Sequence, residues 1–356
     1  MNGPLAITHV GAVTPMGLGA MDTGFVYRAQ GIGLRSSALA HPETGEALLV
    51  GGVPTLEPRL VGAARALELG RLALDDLHRD GAASLAGLRL GLWLCLDEWL
   101  AERDESGVVQ SVELTRALRL HARRLFGENV EVRVCALGPA SPGRVLGDAA
   151  RELDAGQLDA LVLGGVHSDQ CPARVQRLWA ASRLYSPEHT DGVLLGEGAA
   201  FAALFRPPVA RRQNARSWAQ LLAIGTGHDK ARPDNDEPAF EAAGLTLAVR
   251  AAAEPLRASG LRVGWQLNDL GFESFRVAEW MSVMTRTQAL WEEPQLADAP
   301  CQRLGYLGAA TLPVQLALAV EAYRRGYAPH RRLLCFAGSD DGFRLSALVE
   351  GNPDGS

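Results

Sequence analysis

Short, unbroken apolar runs alternate with longer stretches of helical spacing along this sequence, and that alternation restricts it to an α/β architecture with a mostly parallel sheet. Leu5–Thr14 (LAITHVGAVT) reads as a buried strand closed by the Pro15-Met16-Gly17 turn. Leu60–His78 carries apolar residues at helical spacing, Leu88–Leu96 is a continuous apolar strand, and Gly107–Phe126 is helical. Val130–Ala136 is a short β-rich run. Ser141-Pro142-Gly143 then offers a helix start, with Ser141 as N-cap and proline at the first helical position. That helix runs to Leu153, and Leu158–Gly165 is a strand ending in a glycine pair. Gly196–Phe205 is a further strand. The polar, Pro- and Arg-rich stretch 206–217 is the linker candidate. Beyond it the series restarts: a strand from Trp218, a helix over Phe240–Ala258, a strand in VGWQLN, a helix over Thr311–Arg325, and two closing strands. The expected organisation is an N-terminal half over residues 1–205, a linker over 206–217, a C-terminal half over 218–350 and a disordered tail over 351–356.

At 356 residues the chain is long enough for two domains or one duplicated unit. No apolar run reaches the roughly 18–20 residues that cross a bilayer, and MNGPLAITHVGAV lacks the basic start of a signal peptide. Cys95, Cys135, Cys171, Cys301 and Cys335 are scattered without CxxC spacing, so a reducing, cytoplasmic setting and no structural zinc are expected. The net charge of −6 gives no bulk attraction to nucleic acid or anionic membrane. Lys230 is the sole lysine. A Walker-type phosphate loop is therefore excluded, and a Schiff base would have to use a residue in the polar segment HDKARPDNDEP, which reads as a solvated loop.

Several segments are similar to those of one known family. ITHVGAVTPMG resembles the opening strand of β-ketoacyl synthases. GDAARELDAGQLDALVLGG (Gly147–Gly165) resembles the helix after their nucleophile and the strand that follows it. DGVLLGEGAA (Asp191–Ala200) is similar to their D-G-F-V-x-G-E-G-A strand, and GYLGAAT (Gly305–Thr311) to their G-H-x-x-G-A-A-G helix. The set is ordered and spans most of the chain. It implies a thiolase-like fold: two similar α/β halves in a five-layered α-β-α-β-α arrangement, usually dimeric.

The same resemblance locates the catalytic positions, and they are changed. A condensing enzyme needs a thiolate at a helix N-terminus and two histidines to shelter the developing charge. Counting back from GDAAR puts the nucleophile position at Pro139, which offers neither a nucleophile nor an N–H. The first histidine position, in Asn268-Asp269-Leu270-Gly271-Phe272, is Leu270. The second, in Gly305-Tyr306-Leu307-Gly308, is Tyr306. The supporting lysine falls near Cys301, and the gating G-F-G-G loop reads Gly338-Ser339-Asp340-Asp341-Gly342. Ser141 and Cys135 are the candidates for a replacement nucleophile, with Tyr306 or Asp269 as helper.

Other polar residues have plainer readings. Asp340-Asp341, with Glu197 and Glu273, could form an acidic cluster, but the Asp pair reads as a solvated turn and Glu197 as structural. His167, after Gly164-Gly165, reads as a satisfied loop histidine. Phe275–Trp291, rich in Trp, Met and Val, reads as core packing more than as an exposed binding surface. The expectation is a non-catalytic protein acting by protein–protein contact, with no cofactor and no metal, as a homo- or heterodimer. Its partner would be a ketosynthase, a carrier protein or a secreted effector; the family's nucleophile-free partner subunits imply the first role, and its short accessory relatives the adaptor role. The alternatives are an acyltransferase or 3-oxoacyl-[acyl-carrier-protein] synthase with a rebuilt site, and a module that holds an acyl chain or coenzyme A unreacted.

Overall fold

The computed structural model describes residues 3–102, 110–235 and 237–352. The N-terminal half contains β1 (Leu5–Val13), α1 (Ala20–Arg28), β2 (Leu34–Ala40), β3 (Ala47–Gly51), α2 (Gly62–Leu85), β4 (Leu90–Leu96), α3 (Gln110–Phe126), β5 (Val130–Ala136), α4 (Ser141–Asp154), β6 (Ala160–Ser168), α5 (Pro172–Ala180) and β7 (Glu197–Phe205). After α6 (Pro207–Arg212) come β8 (Ala219–His228), α7 (Ala243–Arg257), β9 (Val263–Leu267), α8 (Ser274–Arg286), β10 (Trp291–Asp298), α9 (Cys301–Leu304), α10 (Thr311–Arg324), β11 (Arg332–Gly338) and β12 (Phe343–Gly351).

Ten strands form one hydrogen-bonded series in the order β10-β9-β11-β12-β8-β1-β7-β6-β4-β5, and β2-β3 is a separate hairpin. The series divides at the β1–β8 pairing into two leaves. Setting the hairpin aside, each leaf has its own third, second, fourth, fifth and first strands side by side. Pairing directions repeat as well: β4 is parallel to β5 and β6, β9 is parallel to β10 and β11, and the remaining pairings are antiparallel. The sheet is thus mixed rather than mostly parallel. The β11–β12 link, bridged by the Ser339 N–H to the Phe343 carbonyl, is too short for a parallel crossover and forces an antiparallel return.

Helix α4 packs on β4, β5 and β6 and also on β8 and β12, while α10 packs on β1, β6 and β7 and also on β11. One helix can touch strands of both leaves only if the leaves fold over it. This gives five layers, with α2 and α3 outside one leaf and α7 and α8 outside the other. The cores follow the layers. Leu146, Leu161, Leu316 and Leu345 belong to the central one, Leu69, Leu77, Leu92 and Phe201 to the N-terminal outer one, and Val249, Val283 and Phe336 to the C-terminal outer one. The α10 segment is buried along almost its whole length, as a helix between two sheets must be.

Several expected boundaries shift. The 206–217 stretch holds α6, which buries Ala210. Strand β12 runs through Gly351, and Asn352 donates its N–H to the Trp218 carbonyl, so the expected tail begins later; residues 353–356 lie outside those described. The expected helix start at Gly107 also falls outside the described residues, which take up α3 at Gln110. Strand β10, at one end of the series, carries Glu292, Glu293 and Pro294, the composition that guards an edge strand and hides it from a hydrophobicity reading.

Candidate functional site

The layers bring Pro139, Leu270 and Tyr306, the positions the resemblance implies for catalysis, into the region where β5, β9 and β11 end. Strand β5 leads into a sharp elbow, a single 3-10 turn over Gly138–Ala140, and then α4. Gly138 has φ +70, and a Cβ there would stand 2.6 Å from Glu98 Oε1, so the turn requires glycine. Pro139 is buried at the point of the elbow, where it supplies neither a nucleophile nor an N–H.

The elbow's other polar groups are engaged. Ser141 is not the N-cap but the first residue of α4, after Ala140; fully buried, its Oγ accepts the Leu137 N–H at 3.1 Å. Ser339 Oγ accepts the Ala140 N–H at 3.0 Å and donates to the Leu137 carbonyl at 2.5 Å. The Ser141 N–H reaches the Gly138 carbonyl. An oxyanion hole needs N–H groups aimed at empty space, whereas these bind the elbow to itself and to the β11–β12 turn. Cys135 sits at the end of β5, partly exposed, and burial raises its thiol pKa despite the opposing Ser141 hydroxyl and Arg144. It is not an activated thiolate.

Tyr306, Asp269, Cys301 and Gly338 converge on one small cavity of about 20 Å³. That volume holds roughly one water and no acyl chain. Burial pushes the Cys301 thiol up to about 12, and burial together with Asp340 raises the Tyr306 phenol well above its ordinary value. Asp269 accepts the Gly338 N–H at 2.7 Å, and burial raises its carboxyl pKa despite Arg276 and Arg344. Leu270 is buried, at 8% exposure, next to it.

A second, polar cleft of about 270 Å³ lies on the other side of Tyr306, lined by Asp97, Glu98, Arg174, Arg183 and Asp340 among others. His167 belongs to β6 rather than to a loop and is fully buried. Its Nδ1 lies 2.5 Å from Asp97 Oδ2 and its Nε2 3.0 Å from Asp169 Oδ2. Burial acts against a charged ring, but Asp169 and Asp97 outweigh it and raise the pKa to about 10. Held as an imidazolium, the ring cannot accept a proton. Tyr306 stacks edge-on against it, with centroids 5.1 Å apart. Asp97 Oδ1 also accepts the Ala309 N–H at 2.9 Å, and Gly308, at φ +46, leaves room for the pair: a Cβ there would lie 2.2 Å from His167 Nδ1. Glu98 has its carboxyl raised to about 7 by burial and then by Asp97.

Asp340 lies in the β11–β12 turn with its side chain 36% exposed, but it is paired rather than left to solvent. It pairs with Arg183 at 2.8 Å and Arg276 at 3.0 Å. Burial opposes its charge, yet these two guanidiniums hold it well below the usual carboxylate range. Arg183 also reaches Glu273 at 2.8 Å, and the fully buried Arg344 pairs with Glu279 at 2.6 Å. Glu197 stands apart, bound by Arg65 at 2.6 Å and by the Val53 N–H, so the acidic cluster does not assemble. Among the described residues no group of three or more His, Cys, Asp or Glu side chains could hold a metal.

The Phe275–Trp291 segment divides: Val283 and Trp291 are core, while Met281 is exposed on α8. No sequence motif marks the network of Asp97, Asp169, Arg174, Arg183, Arg276, Glu279 and Arg344. The one local signal is Asp97-Glu98, placed where β4 leaves the sheet, where α/β folds gather functional side chains.

The chain matches no known protein-family profile. It is 27% identical over 156 residues to 3-oxoacyl-[acyl-carrier-protein] synthase 2 of Vibrio harveyi, and 26% identical to that of Vibrio cholerae. Each match covers 40% of this chain and 36% of the curated protein, so only about a third of those enzymes is matched. Likeness in structure spans the whole chain. A solved complex of a type II PKS acyl-carrier protein with its ketosynthase bound to the hexaketide superposes with a TM-score of 0.80 at 14% identity, covering 99% of this chain and 100% of that one. The ishigamide ketosynthase/chain length factor gives 0.75 at 17% identity over 99% of this chain and 100% of that one. A β-ketoacyl synthase from Burkholderia phymatum gives 0.74 at 17% over 98% and 100%. The fold is that of the thiolase-like condensing enzymes. No helix among the described residues is long and apolar enough to cross a membrane.

Proposed function

We propose that this chain, on a condensing-enzyme fold, is non-catalytic and acts by contact with another protein. The elbow carries that reading: Pro139 stands at the nucleophile position, and the neighbouring N–H groups of Leu137, Ala140 and Ser141 are all engaged. A Claisen step needs a thiolate, two proton-handling groups and room for an acyl chain. Here the thiols of Cys135 and Cys301 are raised by burial, His167 is locked between carboxylates, and the residual cavity is about 20 Å³. Retention of the folded scaffold without that chemistry favours a role as a binding subunit.

Of the partner classes, an active ketosynthase is the one the solved relatives favour, since one of them is a ketosynthase/chain length factor assembly and another a ketosynthase held by its carrier protein. A role as adaptor for a secreted effector has no comparable observation behind it. The rebuilt-enzyme reading would rest on Ser141 or Cys135, and Ser141 is fully buried with its hydroxyl already engaged.

Intact mass after incubation with acetyl- and malonyl-coenzyme A, and with acyl-loaded carrier protein, tests the proposal. No adduct is expected. A stoichiometric acyl adduct on Ser141 or Cys135 would establish the rebuilt enzyme instead.

A further inference from the structure

A wide cavity opens away from the elbow, on the outer face of the C-terminal half. It is a cleft of about 610 Å³ between α7, the 258–262 loop that leads into β9, and the end of α8. Its floor is apolar, with Ala253 and Leu256 buried, Leu290 partly so, and Leu261 45% exposed at the lip. Its rim is basic. Arg250, Glu254 and Arg257 stand at i, i+4 and i+7 on one face of α7, and Arg262 and Arg286 face them. Four guanidiniums therefore surround one carboxylate, on a chain whose net charge is −6.

The rim charges are only lightly satisfied. Arg257 lies 3.7 Å from Glu254, both exposed, a pair of little energetic consequence. Arg250 donates to the Arg286 carbonyl at 3.1 Å, and Arg286 donates to the Glu241 carbonyl. Neither contact neutralises charge. Arg262 has no side-chain partner among the described residues.

An enclosed small-molecule site fixes its ligand with a few convergent polar groups in its depth. This cleft has the opposite layout, an apolar centre inside a charged, arginine-rich rim, which is the anatomy of a protein interface. Two helices bound it, so an incoming helix can lay one face across the mouth. We propose that this cleft docks an acidic amphipathic helix of a partner protein, its apolar residues filling the floor and its carboxylates pairing with Arg250, Arg257, Arg262 and Arg286. The inference rests on the protein-contact reading above and adds to it the surface and the chemistry of the partner.

The test uses the full chain and a fluorescein-labelled model peptide of about 18 residues, with leucine at i, i+3, i+4 and i+7 and glutamate on the other face. Its controls are a scramble of the same composition and the same peptide with lysine for glutamate. Anisotropy is expected to show binding of the amphipathic acidic peptide that weakens with salt, and binding about tenfold weaker for the scramble and for the lysine peptide. The double variant Arg257→Glu/Arg262→Glu, confined to exposed side chains, is expected to weaken binding at least about tenfold, and Leu261→Asp to do so without touching a rim charge. Binding by these variants within about twofold of the parent, or a scramble that binds equally well, overturns the proposal. So does displacement of the peptide by phosphatidylglycerol vesicles, which would make the cleft a lipid site. Intact mass with acyl-thioesters, read on the same samples, separates the two claims: an adduct sinks the non-catalytic reading, while loss of peptide binding with unmodified mass sinks only the cleft.

Discussion

Replacing His167 by leucine removes the one cation between two buried carboxylates, and the structure sets the size of the effect. Asp169 keeps Arg174 at 3.0 Å and the Gly196 N–H at 3.2 Å, so its charge remains compensated. Asp97 keeps only the Ala309 N–H at 2.9 Å. Its side chain is 4% exposed, so water in the polar cleft that it borders reaches it only marginally. Stranding one partner of a buried pair in this way costs about 3–5 kcal/mol. Unfolding entropy near ~2.1 cal/mol/K per residue, over 356 residues, turns that into a fall in Tm of about 4–7 °C. Calorimetry and urea unfolding followed by tryptophan fluorescence would both register it. Adding Asp97→Asn removes the stranded charge while leaving an oxygen for Ala309, and should recover at least about half the loss, a coupling that independent sites do not show. The wild-type ring should also stay charged between pH 5 and 8 in a histidine-resolved NMR titration, because its pKa is raised to about 10. A loss below about 1 kcal/mol, no recovery in the double variant, or a ring that titrates with a pKa near its ordinary value would refute the locked-imidazolium account.

Three further outcomes follow from the same geometry. With its pKa raised, His167 contributes stability that is fully present below its unfolded pKa near 6.5 and is lost as pH climbs through about 10, so the protein should weaken in mild alkali and His167→Leu should flatten that decline. Glu98, raised to about 7 from 4.5, likewise contributes most below its unfolded value and loses that contribution as pH rises to 7; Glu98→Gln should flatten urea-unfolding stability between pH 5 and 8, and an unchanged slope would count against its burial at the elbow. Pro139→Cys should give a thiol that takes no acyl group from malonyl-coenzyme A, because the adjoining N–H groups stay engaged and the cavity of about 20 Å³ admits no chain; measurable condensation by this variant would show that proline alone silenced the site.

The strands that form the buried middle of each leaf are legible in the sequence because they are unbroken apolar runs, as in Leu90–Leu96 and the part of β7 that follows Glu197. Strand direction is not legible in the same way: alternation of strand and helix suggests parallel pairing, and only the short β11–β12 link reveals the antiparallel return. Strand β10 escapes because an edge strand is polar by necessity. At the site, Pro139, Leu270 and Tyr306 are the positions the resemblance implies for catalysis, and the motifs that flank them are what locate them in the sequence. The ion pairs cannot. Asp97 meets His167 across 70 residues and Arg183 meets Asp340 across 157, and apart from the Asp97-Glu98 step at the end of β4 nothing local marks their ends. Asp340 accordingly reads as a solvated turn until Arg183 and Arg276 are placed beside it.

The charges around the elbow bear on what holds the two leaves of the scaffold together. A reaction site keeps some groups uncompensated so that they act on a substrate. Most charges in this region are instead matched to one another: Asp97 and Asp169 with His167, Asp340 with Arg183 and Arg276, and Glu279 with Arg344, while burial and then Asp97 push the Glu98 carboxyl toward its neutral form. Buried pairs of this kind add little net stability against an apolar filling, since desolvation absorbs most of the Coulomb gain. What they impose is register. Arg276 ties α8 to the β11–β12 turn, Arg183 ties the segment after α5 to the same turn, and Ser339 ties that turn to the elbow. A slip of any one of these elements would strand a charge at a cost of several kcal/mol. Arg183 and Ser339 thus fix the two leaves against each other across the elbow, and the docking role proposed above would draw on the rigid surface this gives.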